Sequence, residues 1–184
     1  MSNQEYASDV FSMLLEDKKN ALNVYNGLNN TTYYDPELVE ICTLERGISL
    51  SIRNDAAFIV ASDLNMYEHQ STYNPNMPLR NLLYLTKTIK PILKGQDLYG
   101  SKLIKIPTPR FVTFYNGAAK RPETEIFKLS DSFENKTDTP ALELTVTCYN
   151  INPGFNEELL NKTSILREYM QFVNKFRELK TNDD

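Results

Sequence analysis

Between residues 9 and 28 apolar side chains recur at helical spacing: Val10, Phe11, Leu14, Leu15, Leu22, Val24 and Tyr25. Ser8 or Asp9 suits the N-cap, and Gly27 followed by Asn29-Asn30 marks the stop. After a polar TTYYDPE loop the period changes from helical to alternating. Residues 38–43 and 48–53 alternate apolar with polar, as half-buried strands do. Residues 55–61 are apolar on both faces, the pattern of a central strand. Ser62-Asp63 reads as a turn and 64–70 as the returning strand. Pro78 can open a helix running to about residue 89, with Pro91 near its end. A short strand follows at 103–106, interrupted by Pro107-Thr108-Pro109. The strand 111–115 stops at the turn signal Asn116-Gly117. Residues 125–129 suit an edge strand, and 141–149 a strand with Leu142, Leu144 and Val146 on one face. Asn152-Pro153-Gly154 then turns the chain into a last helix over 156–179. This order predicts an α/β fold, a mixed sheet flanked by helices.

One segment breaks its own pattern. LNMYEHQSTYNPNMPLR, residues 64–80, opens like a buried strand and finishes in Glu68-His69-Gln70. A two-residue turn at Ser62-Asp63 would place Asp55 opposite Gln70, with Glu68 its diagonal neighbour. Asp55, Glu68 and Gln70 then share one face, because strand side chains alternate. Diagonal neighbours lie about 7–8 Å apart at Cα, close enough for two carboxylates to share one ion. A one-residue slip would send Asp55 to the opposite face. Two oxygen donors suit a hard cation such as Mg²⁺ or Mn²⁺, which polarises a phosphodiester and activates water. The competing reading is an exposed strand end, with Asp55 a turn residue after Asn54. His69 falls on the other face in this register, a satisfied polar residue and not a base.

Composition narrows the classes. The chain has 184 residues, enough for one domain with a true core, here expected over 1–184 with short flexible ends at about 1–7 and 180–184. Hydrophobic residues make up 41%, which excludes disorder throughout. A single histidine excludes a multi-histidine metal site, and no GxSxG, GxxxxGK[ST] or GxGxxG motif occurs. Cys42 and Cys148 lack CxxC spacing and read as reduced thiols of a cytoplasmic protein. No apolar run is long enough to span a bilayer and no signal peptide opens the chain, so no membrane partner is expected. Net charge is −4, which argues against a tight nucleic-acid binder, yet Arg80, Lys87, Lys90, Lys94, Lys102, Lys105 and Arg110 cluster in the middle with only Asp97 against them.

Several segments carry a resemblance. RNDAAFIV, LNMYEHQSTYNPNMPLRNLLYL, GSKLIKIPTPRFVTFYNG, Lys128-Leu129-Ser130-Asp131 and ALELTVTCYNINPGFN together resemble the Rpn-type family. That group of recombination-promoting, transposase-like nucleases belongs to the PD-(D/E)XK nuclease superfamily, and the likeness spans about residues 9–177. It implies a restriction-endonuclease-like fold and Mg²⁺-dependent (or Mn²⁺-dependent) endonuclease activity on DNA. Asp55 would be the motif aspartate, Glu68 the motif acid, and Gln70 would stand where the superfamily has lysine. Asp55, Glu68 and the backbone carbonyl of His69 would hold the metal, with Glu16 or Glu45 as accessory acid. Arg80 and Lys87 would contact the DNA backbone, which positions DNA without reading its sequence. A homodimer is expected from the task of cutting two strands. Nothing in the residues separates DNA from RNA. The alternative reading is a catalytically inactive remnant acting as a DNA-binding or protein-interaction module.

Overall fold

The computed structural model describes residues 3–42 and 55–181. The expected strand at 48–53 and the candidate acid Glu45 lie outside the described residues. Within them the chain forms helices α1 (Asn3–Glu16), α2 (Lys18–Asn29), α3 (Met77–Ile92), α4 (Glu157–Lys162) and α5 (Ser164–Thr181), and strands β1 (Glu40–Ile41), β2 (Ala56–Val60), β3 (Asp63–Gln70), β4 (Thr108–Tyr115), β5 (Thr124–Lys128) and β6 (Thr145–Asn150).

The six strands form one mixed sheet in the order β1-β2-β3-β4-β6-β5. β3, β4 and β6 run parallel in the middle, and β1, β2 and β5 pair antiparallel at the flanks. This is the α/β arrangement of a mixed sheet between helices that the pattern predicted, consistent with the restriction-endonuclease-like fold that the resemblance implies. β5 is the edge strand expected there.

Two expected helices are each broken in two. The helix over 9–28 divides at Asp17, whose carboxylate accepts the N–H groups of Lys19 and Asn20 and so caps a new helix. The apolar spacing runs through this break, which hid it. The first helix also starts earlier, at Asn3, and the second passes Gly27 to end at Asn30 in the left-handed conformation. The helix over 156–179 divides at Thr163, whose hydroxyl donates to Leu159 O at 2.6 Å. Residues 103–106 are not a strand: Leu103 is exposed, and pairing of β4 with β3 begins only at Thr108 opposite Asp63. The chain before Thr108 has no strand beside it to pair with. Likewise β6 starts at Thr145, and Leu142 is exposed.

The β2–β3 turn is Ala61-Ser62, one residue earlier than the pattern suggested. Both have positive φ, 49° and 69°, as a type I′ hairpin requires. Val60 pairs with Asp63 and Ala56 with Tyr67, a register two residues from the expected one. A shift of two preserves the face of every side chain.

The sheet carries unequal layers. One face packs Tyr67, Phe114 and Phe58 against α1, α2, α4 and α5 through Phe11, Val24, Leu160, Leu166 and Tyr169. The other face is covered by α3, with Tyr84 on Leu64 and Met66, and Met77 beside Tyr115, Val146 and Cys148. Gly27 allows the close approach within the thicker layer, since a Cβ there would overlap the Thr163 methyl. Among the described residues no helix is long and apolar enough to cross a membrane.

Candidate functional site

Along β3, Leu64 and Met66 face α3, so Glu68 and Gln70 continue that row. His69 follows Tyr67 to the opposite layer, where its ring lies 6.1 Å from Phe11 and 5.2 Å from Tyr169. Asp55 stands at a bend just before β2, and the hairpin register extended by one residue sets it directly opposite Glu68. Asp55, Glu68 and Gln70 therefore meet where β3 ends. That is the carboxyl end of the parallel strands, where open α/β sheets bind ligands.

Asp55 is held by α1 and by β3. Ser8 on α1 donates its hydroxyl to Oδ1 at 2.7 Å, and the His69 backbone N–H donates to Oδ2 at 2.8 Å. The carboxylate thus takes over the sheet ladder where β2 begins. Glu68 is only 1% exposed, and its Oε1 has no hydrogen-bond partner. Its close cation is Arg80, with Nη2 3.1 Å from Oε2 as an ion pair. Two further orphaned atoms lie on the same face: Thr113 Oγ1, in the strand position beside Glu68, and Asn81 Oδ1 on α3. Buried polar groups without partners are costly, and they gather where a ligand completes them.

Arg80 sits in the first turn of α3 and turns inward, not out to solvent as a free backbone contact. Its Nε and Nη2 donate to Tyr84 Oη at 3.0 and 2.9 Å. With the Gln70 amide oriented to satisfy both its ends, the Gln70 oxygen accepts from Arg80 Nη1 at 2.9 Å and its nitrogen donates to Thr72 O at 3.2 Å. The STYNPN loop before α3 is pinned by Tyr73, which stacks under Arg121 at 3.8 Å and lies 5.9 Å from Phe127.

The electrostatics follow from this count. If both carboxylates are ionised, one guanidinium faces two negative charges in a dry site. Burial, then the neighbouring Asp55, hold the Glu68 carboxyl well above the usual range, against the pull of Arg80. Asp55 is raised too, chiefly by burial, though the His69 N–H and the Ser8 hydroxyl oppose this. Asp9 on α1 adds to the rise of Asp55. His69 moves the other way: burial, aided by Arg177, pushes its imidazole down to about 3, so it stays neutral.

Asp9, which the sequence offers as a helix cap, lies inside α1, is exposed, and has only a minor influence on Asp55. Glu16, one of the two candidates for the accessory acid, lies two turns along α1 from Ser8, about 12 Å away, and is exposed. Lys87 is exposed on α3, two turns from Arg80. Arg110, counted in the basic stretch, is paired to Asp63 at 2.8 Å.

A divalent cation fits this donor set on one observation: Glu68 has a buried oxygen, Oε1, with no hydrogen-bond partner, beside a second carboxylate, while Arg80 is paired to Oε2. Among the described residues no three His, Cys, Asp or Glu side chains converge. The protein would offer Asp55 and Glu68, leaving further positions to water or substrate, as Mg²⁺ accepts. Such an ion supplies charge stabilisation at a phosphodiester and a more acidic bound water. The chain's own residues orient the carboxylates through Ser8 and His69 N–H, exclude bulk water with Tyr84 and Met77, and present an amide at Gln70. No family model, no curated protein and no solved structure matches this chain.

Proposed function

We propose that the protein is a Mg²⁺-dependent or Mn²⁺-dependent endonuclease that hydrolyses DNA phosphodiester bonds with little sequence specificity. The observation that carries this reading is the buried, undercompensated Asp55–Glu68 pair at the carboxyl end of the parallel strands. Perturbed carboxyl groups paired in a cleft mark functional sites. The resemblance of the EHQSTYNPNMPLR segment to Rpn-type nucleases supports the same chemistry. Asp55 and Glu68 hold the ion, with the His69 backbone carbonyl as a further ligand, and Gln70 holds water or a phosphate oxygen. Cutting both strands calls for two such sites, so the working species is proposed as a homodimer linked to recombination or mobile elements.

The test is cleavage of plasmid DNA with Mg²⁺ and Mn²⁺ by wild type, Asp55→Ala and Glu68→Ala, with an RNA substrate in parallel. Loss of cleavage in both variants is expected. Activity surviving either substitution would sink the assignment.

A second reading rests on a different observation. Both Asp55 oxygens already accept internal hydrogen bonds and Arg80 covers Glu68, an arrangement that also suits an inactive remnant serving as a DNA-binding or protein-interaction module. Calorimetry with Mn²⁺ separates the two: a folded chain giving no metal-dependent heat favours the remnant.

A further inference from the structure

Arg80 makes more contacts than a surface residue that waits for DNA would need. One guanidinium reaches Glu68 Oε2 at 3.1 Å, Gln70 at 2.9 Å and Tyr84 Oη through two nitrogens. It is the one positive group in contact with the Asp55–Glu68 pair among the described residues. Its side chain is nonetheless 36% exposed.

These facts assign Arg80 two tasks that compete. Where a carboxylate lacks donors, a guanidinium lends charge; where a phosphodiester is attacked, charge builds on its oxygens and a bidentate fork is the best protein group to meet it. Gln70, which lies against Arg80, brings no charge of its own. We propose that Arg80 is the built-in counter-cation of Glu68, that it competes with a divalent ion for that carboxylate, and that its fork is the group receiving phosphate oxygens of a bound strand. The proposal rests on the nuclease reading. Tyr84 acts as a positioning residue, accepting two N–H groups so that the fork stays aimed across the pair.

The experiment measures two quantities that a merely structural residue would move together. Mn²⁺ binding is titrated calorimetrically for wild type, R80Q and R80K, and plasmid cleavage and melting are recorded for each. Removing the competing charge should tighten Mn²⁺ binding about tenfold in R80Q, while cleavage falls about 100-fold or more. R80K keeps the charge and loses the fork, so its Mn²⁺ affinity should stay near wild type while cleavage falls about tenfold. Weaker or unchanged Mn²⁺ binding in R80Q, or wild-type cleavage in either variant, overturns the proposal while leaving the nuclease reading intact. Should R80Q lose its melting transition, R80K decides by the same criteria. A wild-type protein that neither binds Mn²⁺ nor cuts removes the nuclease reading itself, and the role of Arg80 with it.

Discussion

Glu68 and His69 are neighbours in β3 that pull stability in opposite directions with pH. Glu68 is held above its ordinary range in the fold, so the folded state keeps its proton longer than the unfolded chain does. The stability it contributes is complete below the usual carboxylate range and is lost as pH rises through the raised value. In metal-free buffer Glu68→Gln should therefore raise the melting temperature at pH 8 by several degrees, read by scanning calorimetry. A lower melting temperature would contradict the burial argument. His69, pushed down to about 3, contributes stability that is complete above its unfolded value of 6.5 and is lost as pH falls toward 3. Between those limits the loss is about 1.4 kcal/mol per pH unit. His69→Gln should flatten the acid limb of a urea-midpoint profile between about pH 6 and pH 4. An unchanged slope would show that the imidazole is hydrated in the fold.

At the scale of elements, the β2–β3 hairpin decides the site. Ala61 and Ser62 both adopt positive φ, a conformation that suits Asn-Gly better than the residues present. The double substitution Ala61→Asn, Ser62→Gly should stabilise the protein by about 1 kcal/mol and leave cleavage unchanged, because the register that aligns Asp55 with Glu68 is kept. The same hairpin shows why part of the site was legible. Residue alternation depends only on parity, so a turn placed one residue too late still put Asp55, Glu68 and Gln70 on one face. The exact pairing was not legible, since Ala-Ser carries no strong turn signal. Helix breaks at Asp17 and Thr163 were hidden by apolar spacing that continues across them. Gly27 read only as a stop signal, yet its role is to admit the Thr163 methyl from a residue far along the chain. Gly27→Ala should cost about 1–3 kcal/mol in urea unfolding through overpacking, because its Cβ would overlap the Thr163 methyl.

Across the whole molecule the two faces of the sheet are covered unequally. Four helices bury one face, and α3 with the loops beside it covers the other, leaving Leu79 and Leu83 exposed. Elements with fewer buried contacts open at lower free energy. Amides of α3 should exchange faster than those of β3 and β4 in native-state hydrogen exchange, and equal protection would deny that this layer opens separately. The contact between Arg80 and Glu68 could not be read from the sequence. It depends on the path of the loop between β3 and α3, where Tyr73 stacks under Arg121 from a distant part of the chain. Chemistry-bearing residue types are visible in one dimension; which cation answers which carboxylate is decided by the path of the loop between them.

The unequal bonding of the two carboxylates has an evolutionary consequence. Asp55 serves the fold directly, through Ser8 and the His69 N–H, so a descendant that had abandoned catalysis would still be under selection to keep it. Glu68 costs stability and gains nothing from the fold except Arg80. Relieved of function, it is the residue that would drift, most simply to glutamine. On the nuclease reading, retention of Glu68 should mark a working site better than retention of Asp55.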